Sequence, residues 1–156
     1  SAEEYFDWGG MDKDDTCAND WHWDGNVDVY WMPAGPPSVQ SHIGTINVCP
    51  GYGGSYIHLV TGCNGNITWA FTGVGAGFTA SLLDETFLAA PAVLLPGFTG
   101  WIGISAVSTV PFGTVSNITL TLTCNGVPVP ILLAATACDC GPVPIEKSTW
   151  SPGRSS

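Results

Sequence analysis

TVSNITLTLTC-NG-VPVPILLAATA, residues 114–137, decides the fold. From Asn117 to Cys124 it alternates strictly. Ile118, Leu120, Leu122 and Cys124 fall on one side, and Asn117, Thr119, Thr121 and Thr123 on the other. A period of two, rich in β-branched residues, is the pattern of a strand with one buried and one wet face. Asn125-Gly126 follows, and both residue types tolerate positive φ, so the chain turns tightly there. A second apolar run returns, which makes the whole stretch a hairpin. Its returning arm carries Pro128 and Pro130, two missing N–H groups on the same side, and this predicts an edge closed to further pairing.

Outward from the hairpin the same rhythm continues. Strands are expected over residues 43–49, 55–61, 66–72, 77–83, 92–95, 98–107, 115–124 and 127–137. Between them lie turn signals such as Pro50-Gly51, Asn64-Gly65, Pro96-Gly97 and Pro111 to Gly113. No stretch holds helical periodicity for three turns, although 82–88 could form one helical turn. The fold class is all-β: an antiparallel β-sandwich or jelly roll of seven or eight short strands. Residues 1–42 read as an extended N-terminal arm, 43–140 as the sandwich and 141–156 as an extended C-terminal tail. Within the arm, 27–32 has the makings of a strand that the prolines after it would end.

Charge is scarce and uneven. Charged residues are 10% of the 156, against roughly 25% in ordinary soluble domains. Residues 1–28 hold nine acids and only Lys13, so most of the net charge of −10 sits in the arm. Three basic residues in the whole chain exclude nucleic-acid binding through phosphates. Every apolar run is interrupted well before the roughly 18 residues that a membrane-spanning helix needs. The chain opens on Ser1 without an apolar leader, which reads as a processed, secreted chain.

Six cysteines in a glycine-rich β chain point to disulfides and an oxidising compartment. Fifteen pairings are open to six cysteines. Cys49 to Cys63 and Cys124 to Cys138 share one spacing, which suggests 49–63 and 124–138 and leaves 17–140. Zinc is disfavoured, because Cys138-Asp139-Cys140 is tighter than the usual ligand gap and no second close pair exists.

Four constellations could carry chemistry. Two sequons, Asn66-Ile67-Thr68 and Asn117-Ile118-Thr119, place each asparagine on the polar face of its strand as a candidate glycan acceptor. Asp20, Asp24 and Asp28 take the first, fifth and ninth places of an EF-hand spacing, with Gly25 at the sixth. His22 and Trp31 occupy places where oxygen ligands are required, so this is no EF-hand; calcium in another geometry is the candidate and a solvated acidic arm the alternative. Trp8, Trp21, Trp23, Tyr30 and Trp31 could stack on sugar rings or anchor the arm on a neighbouring subunit. Catalysis has little support: His22, His42 and His58 share no ligand spacing, and the neighbouring acids Asp84 and Glu85 face opposite ways if they lie in a strand. No cofactor other than calcium is called for.

The stretch from Val115 to Ile145, with Leu-Thr-Cys-Asn-Gly and then Cys-x-Cys-Gly-Pro, is similar to cysteine-stapled β-sandwich proteins of environmental bacteria. The whole chain resembles subunits of extracellular fibrils and pili, with charge-poor strands and a distinct N-terminal segment. That resemblance implies a secreted, structural subunit at the cell surface, whose arm or tail completes the sheet of the next copy. Its partners would be copies of itself in a helical or head-to-tail assembly. Two other functions fit the same residues: a carbohydrate-binding module of jelly-roll type, assisted by calcium, and a phage or virus surface protein.

Overall fold

The computed structural model describes residues 45–140 in full and the backbone of residues 25–30 and 38–41. Ten strands and no helix are found among them: β1 (Gly25–Tyr30), β2 (Ser38–Ser41), β3 (Thr45–Val48), β4 (Gly54–Thr61), β5 (Ile67–Thr72), β6 (Phe78–Asp84), β7 (Val93–Leu94), β8 (Thr99–Ala106), β9 (Val115–Cys124) and β10 (Val127–Ala137). They form two five-stranded sheets. Sheet A runs β2-β1-β4-β8-β6 and sheet B runs β3-β10-β9-β5-β7.

The deciding hairpin forms as its sequence requires. β9 and β10 pair antiparallel from Val127↔Cys124 to Thr136↔Val115. Asn125 and Gly126 take φ of 52° and 81°, the left-handed geometry that matches the twist of the two strands. Ile118, Leu120, Leu122 and Cys124 are buried, and the alternate asparagine and threonines face outward. They meet Ile57 and Leu59 of β4, Ile102 and Ile104 of β8 and Leu82 of β6 in one core between the sheets. A fully buried aliphatic side chain contributes roughly 1.5–3 kcal/mol, so this layer is the main source of stability.

β3 covers β10 only from Ala134 to Ala137. Among the described residues, the half of β10 that carries Pro128 and Pro130 has no strand on its β3 side, an edge position that tolerates proline.

Sheet A takes in part of the N-terminal segment. Gly25–Tyr30 pairs with β4, in register from Gly25↔Ile57 to Val29↔Thr61, and Ser38–Ser41 pairs with β1. The division at residue 42 is thus not a boundary of the sheets. The expected β-sandwich stands, and two of its pairs, β1–β4 and β3–β10, are parallel. One expectation is corrected: none of the expected disulfides forms. Cys49 joins Cys140 and Cys63 joins Cys124, with Cα–Cα distances of 5.7 and 6.1 Å. Cys138 is also disulfide-bonded. The reason is distance. β10 lies between Cys124 and Cys138, and eleven extended residues separate them by roughly 36 Å, far beyond the 4.4–6.8 Å that a disulfide spans. β4 separates Cys49 from Cys63 in the same way. Each bridge instead closes one end of the sandwich.

Candidate functional site

The most elaborated surface among the described residues lies on the outer face of sheet A. Along β4, Ile57 and Leu59 turn inward and Tyr56 and His58 outward. Register then sets the neighbours: His58 lies opposite Trp101, Trp101 opposite Leu83, and Tyr56 opposite Gly103. The His58 and Trp101 rings come to 4.6 Å between centroids. A side chain at position 103 would crowd Tyr56, since a Cβ there would lie 3.0 Å from its ring.

The turn after β6 folds over this face. The Asp84 carboxylate accepts from Thr86 N (2.8 Å), Thr86 Oγ1 (2.6 Å) and Leu88 N (3.1 Å). These bonds, the Thr86 hydroxyl foremost, hold the Asp84 carboxyl below its ordinary range. The tightened turn places Phe87 at φ 65°, a conformation that bulky side chains seldom adopt. Ring packing offsets the strain. Phe87 stacks on Trp101 at 5.2 Å and 14°, and meets Tyr56 edge-on at 5.4 Å. Beside it, His58 Nε2 donates to Glu85 Oε2 at 2.8 Å. Burial pushes the Glu85 carboxyl up, but bonds from Thr99 and His58, the His58 charge and the Trp101 indole outweigh it and leave it lowered. Glu85 is therefore held ionised, and the loop is latched to the sheet at Phe87 and Glu85 together.

This cluster was not legible beforehand. Asp84 and Glu85 do diverge, but because one caps a turn and the other reaches a strand partner. The Asp84-x-Thr86 pattern is the one local signal, since aspartate and threonine favour such side-chain-to-backbone turns. His58 and Trp101 are 43 positions apart and only register unites them.

Other expected residues fall elsewhere. Asn66 and Asn117 are both exposed, beside opposite ends of sheet B, and Thr68 and Thr119 of their sequons lie on its outer face. Asp28 and Tyr30 belong to β1, in register with Val60 and Ser38. Trp8, Cys17, Asp20, Trp21, Trp23, Asp24, Trp31 and the tail lie outside the described residues. The calcium proposal therefore has no described geometry.

Charge is nearly absent from the sandwich. Residues 45–140 contain Asp84, Glu85 and Asp139 and neither lysine nor arginine. Large apolar side chains remain exposed at both ends, including Tyr52, Phe112, Leu88 and Leu95.

No protein family and no curated protein matches this chain. Among solved structures it is similar to McoA, a multicopper oxidase from the hyperthermophile Aquifex aeolicus, with 11% identity over 72% of this chain and 29% of that one and a TM-score of 0.41. It is also similar to Lac15 from a marine microbial metagenome, with 10% identity over 78% and 35% and a TM-score of 0.39. A third is CueO, a laccase-like multicopper oxidase from the lignin-degrading bacterium Ochrobactrum sp., with 9% identity over 85% and 35% and a TM-score of 0.41. The chain spans about a third of the length of these proteins. Among the described residues His58 is the one histidine, and the described cysteines are in disulfides.

Proposed function

We propose that this protein is a secreted structural subunit that assembles with copies of itself at the cell surface or beyond it. The observation that carries this reading is a disulfide-stapled sandwich whose residues 45–140 hold three acids, no cation and exposed apolar side chains at both ends. Isolated soluble domains hold themselves apart with mixed surface charge, whereas a surface of this kind favours association. Disulfides suit an oxidising compartment. The edge of sheet A supports strand exchange. Along the chain β1 and β2 precede β3 with residues 42–44 between, and the β1–β4 pairing is the one that exchange between two chains would use. In that arrangement the arm serves as the linking segment, and the sequons Asn66 and Asn117 carry glycans away from it. The same reading covers a subunit of a phage or virus surface.

Light scattering over a concentration series, with negative-stain electron microscopy, tests it. Regular multimers or filaments are expected. A monodisperse monomer at millimolar concentration defeats the proposal. Intact mass before and after glycosidase treatment of the native protein tests the glycans.

A second reading, glycan binding, draws on Phe87. Phe87 is 40% exposed beside the ionised Glu85, an aromatic next to a hydrogen-bond acceptor. A glycan screen with wild type and Phe87→Ala decides it, and equal silence from both removes it.

A further inference from the structure

We infer that copies of this chain join end to end, one apolar end of the sandwich seating on the opposite end of the next copy. The inference rests on the self-assembly reading and adds the contact surface and its polarity.

The first end is built where residues 49–53, 73–77, 107–114 and 137–140 converge. Backbone bonds from Gly51 N to Ala106 O, Val107 N to Gly77 O and Gly113 N to Ala137 O tie these segments together. Tyr52, Val74, Val107, Phe112 and Val115 are exposed there. The second end gathers residues 61–66, 85–98 and 124–127. The Cys63–Cys124 bridge, the bond from Asn125 Nδ2 to Asn64 Oδ1 and the pairing of β5 with β7 hold it. Leu88, Val93, Leu95 and Val127 are exposed there. Each end presents on the order of 400–500 Å² of apolar surface, the size of the largest patch on an ordinary monomer, which is often functional, and here there are two.

The occupant follows from the placement. The two ends are separated by the length of β9, roughly 33 Å, so no single small ligand covers both. One contact between unlike ends of two copies covers both at once and buries on the order of 1,000 Å², about the least that a specific interface requires. Because the ends differ the contact is heterologous, and because they lie at opposite ends of the sandwich repetition runs on as a polar filament and does not turn back into a ring. Its axial repeat is expected near the length of the sandwich, roughly 35–45 Å.

Paired charge substitutions in the full chain provide the test. Phe112 and Leu95 are 61% and 69% exposed, so replacing either leaves the core intact. Phe112→Glu and Leu95→Lys are each expected to cut the sedimentable polymer at least tenfold. The double variant is expected to recover most of it, because Glu at one end then meets Lys at the next. Phe112→Ser and Leu95→Ser serve if a charged variant loses its wild-type melting curve. A wild type that polymerises alongside single variants that polymerise equally well overturns the end-to-end contact and leaves self-assembly standing. Two losses without recovery in the double variant show an end joined to its like, or to the chain's own tail, and also overturn it. A wild type that never associates overturns both.

Discussion

Removing the Cys63–Cys124 bridge, as Cys63→Ala with Cys124→Ala, should cost about 4 kcal/mol. The two cysteines are 61 residues apart, and loop-closure entropy for that length is about 4.3 kcal/mol. The chain is already tied outside this loop by Cys49–Cys140, whose separation is 91. Through that outer bridge the path from Cys63 to Cys124 is only about 30 residues, which lowers the entropic part to about 3.7 kcal/mol. Both sulfurs are buried against the core, and their loss adds a fraction of a kcal/mol for the space they leave. Equilibrium urea unfolding measures the change. With a slope of about 2 kcal/mol per molar, the midpoint should fall by roughly 2 M. Cys49→Ala with Cys140→Ala should cost nearly the same, because each bridge shortens the other's path. A loss below about 1 kcal/mol at unchanged slope would refute the reasoning.

Three smaller predictions follow from the same geometry. Phe87→Ala should lose roughly 2 kcal/mol in urea unfolding with the stack on Trp101 and the edge contact to Tyr56, and Phe87→Gly should be the more stable of the two because glycine alone takes φ 65° without strain. The folded Glu85 carboxyl titrates below its unfolded value of about 4.3, so its contribution is present above that pH and fades as pH falls through the lower folded value; Glu85→Gln should lower the melting temperature at neutral pH, leave it nearly unchanged at the acid end, and so flatten the acid limb of the profile. Gly73→Ala should destabilise by more than about 2 kcal/mol in chemical denaturation, since its Cβ would lie 2.2 Å from the Asn117 carbonyl oxygen at a φ of 77°.

The sandwich was legible wherever one residue type recurs every second position. Ile118 to Cys124 needed no more than their alternation, and Asn125-Gly126 named its own turn. β1 was harder, because prolines and acids around it mask a short strand whose partner, β4, is far along the chain. The disulfides show a different failure. Equal spacing drew Cys124 to Cys138, yet the strand expected between them already held the two apart. Reach along an extended chain was the better guide than repetition of a number. The cluster at Glu85, Phe87 and Trp101 depends on the register of three strands and one capped turn, and no local pattern contains that information.

The sandwich without a cation has a practical side. Trypsin cuts after lysine and arginine, and the chain offers it Lys13, Lys147 and Arg154 alone. One fragment, from Asp14 to Lys147, survives complete digestion whether the protein is folded or denatured. It contains the whole described sandwich. Tryptic proteases in its surroundings can trim the extremities and leave the body whole. Peptide surveys based on trypsin will see almost nothing of the sandwich, and amine-directed crosslinkers will find no handle on it. Enzymes that cut at aromatic or acidic residues are the way to follow it.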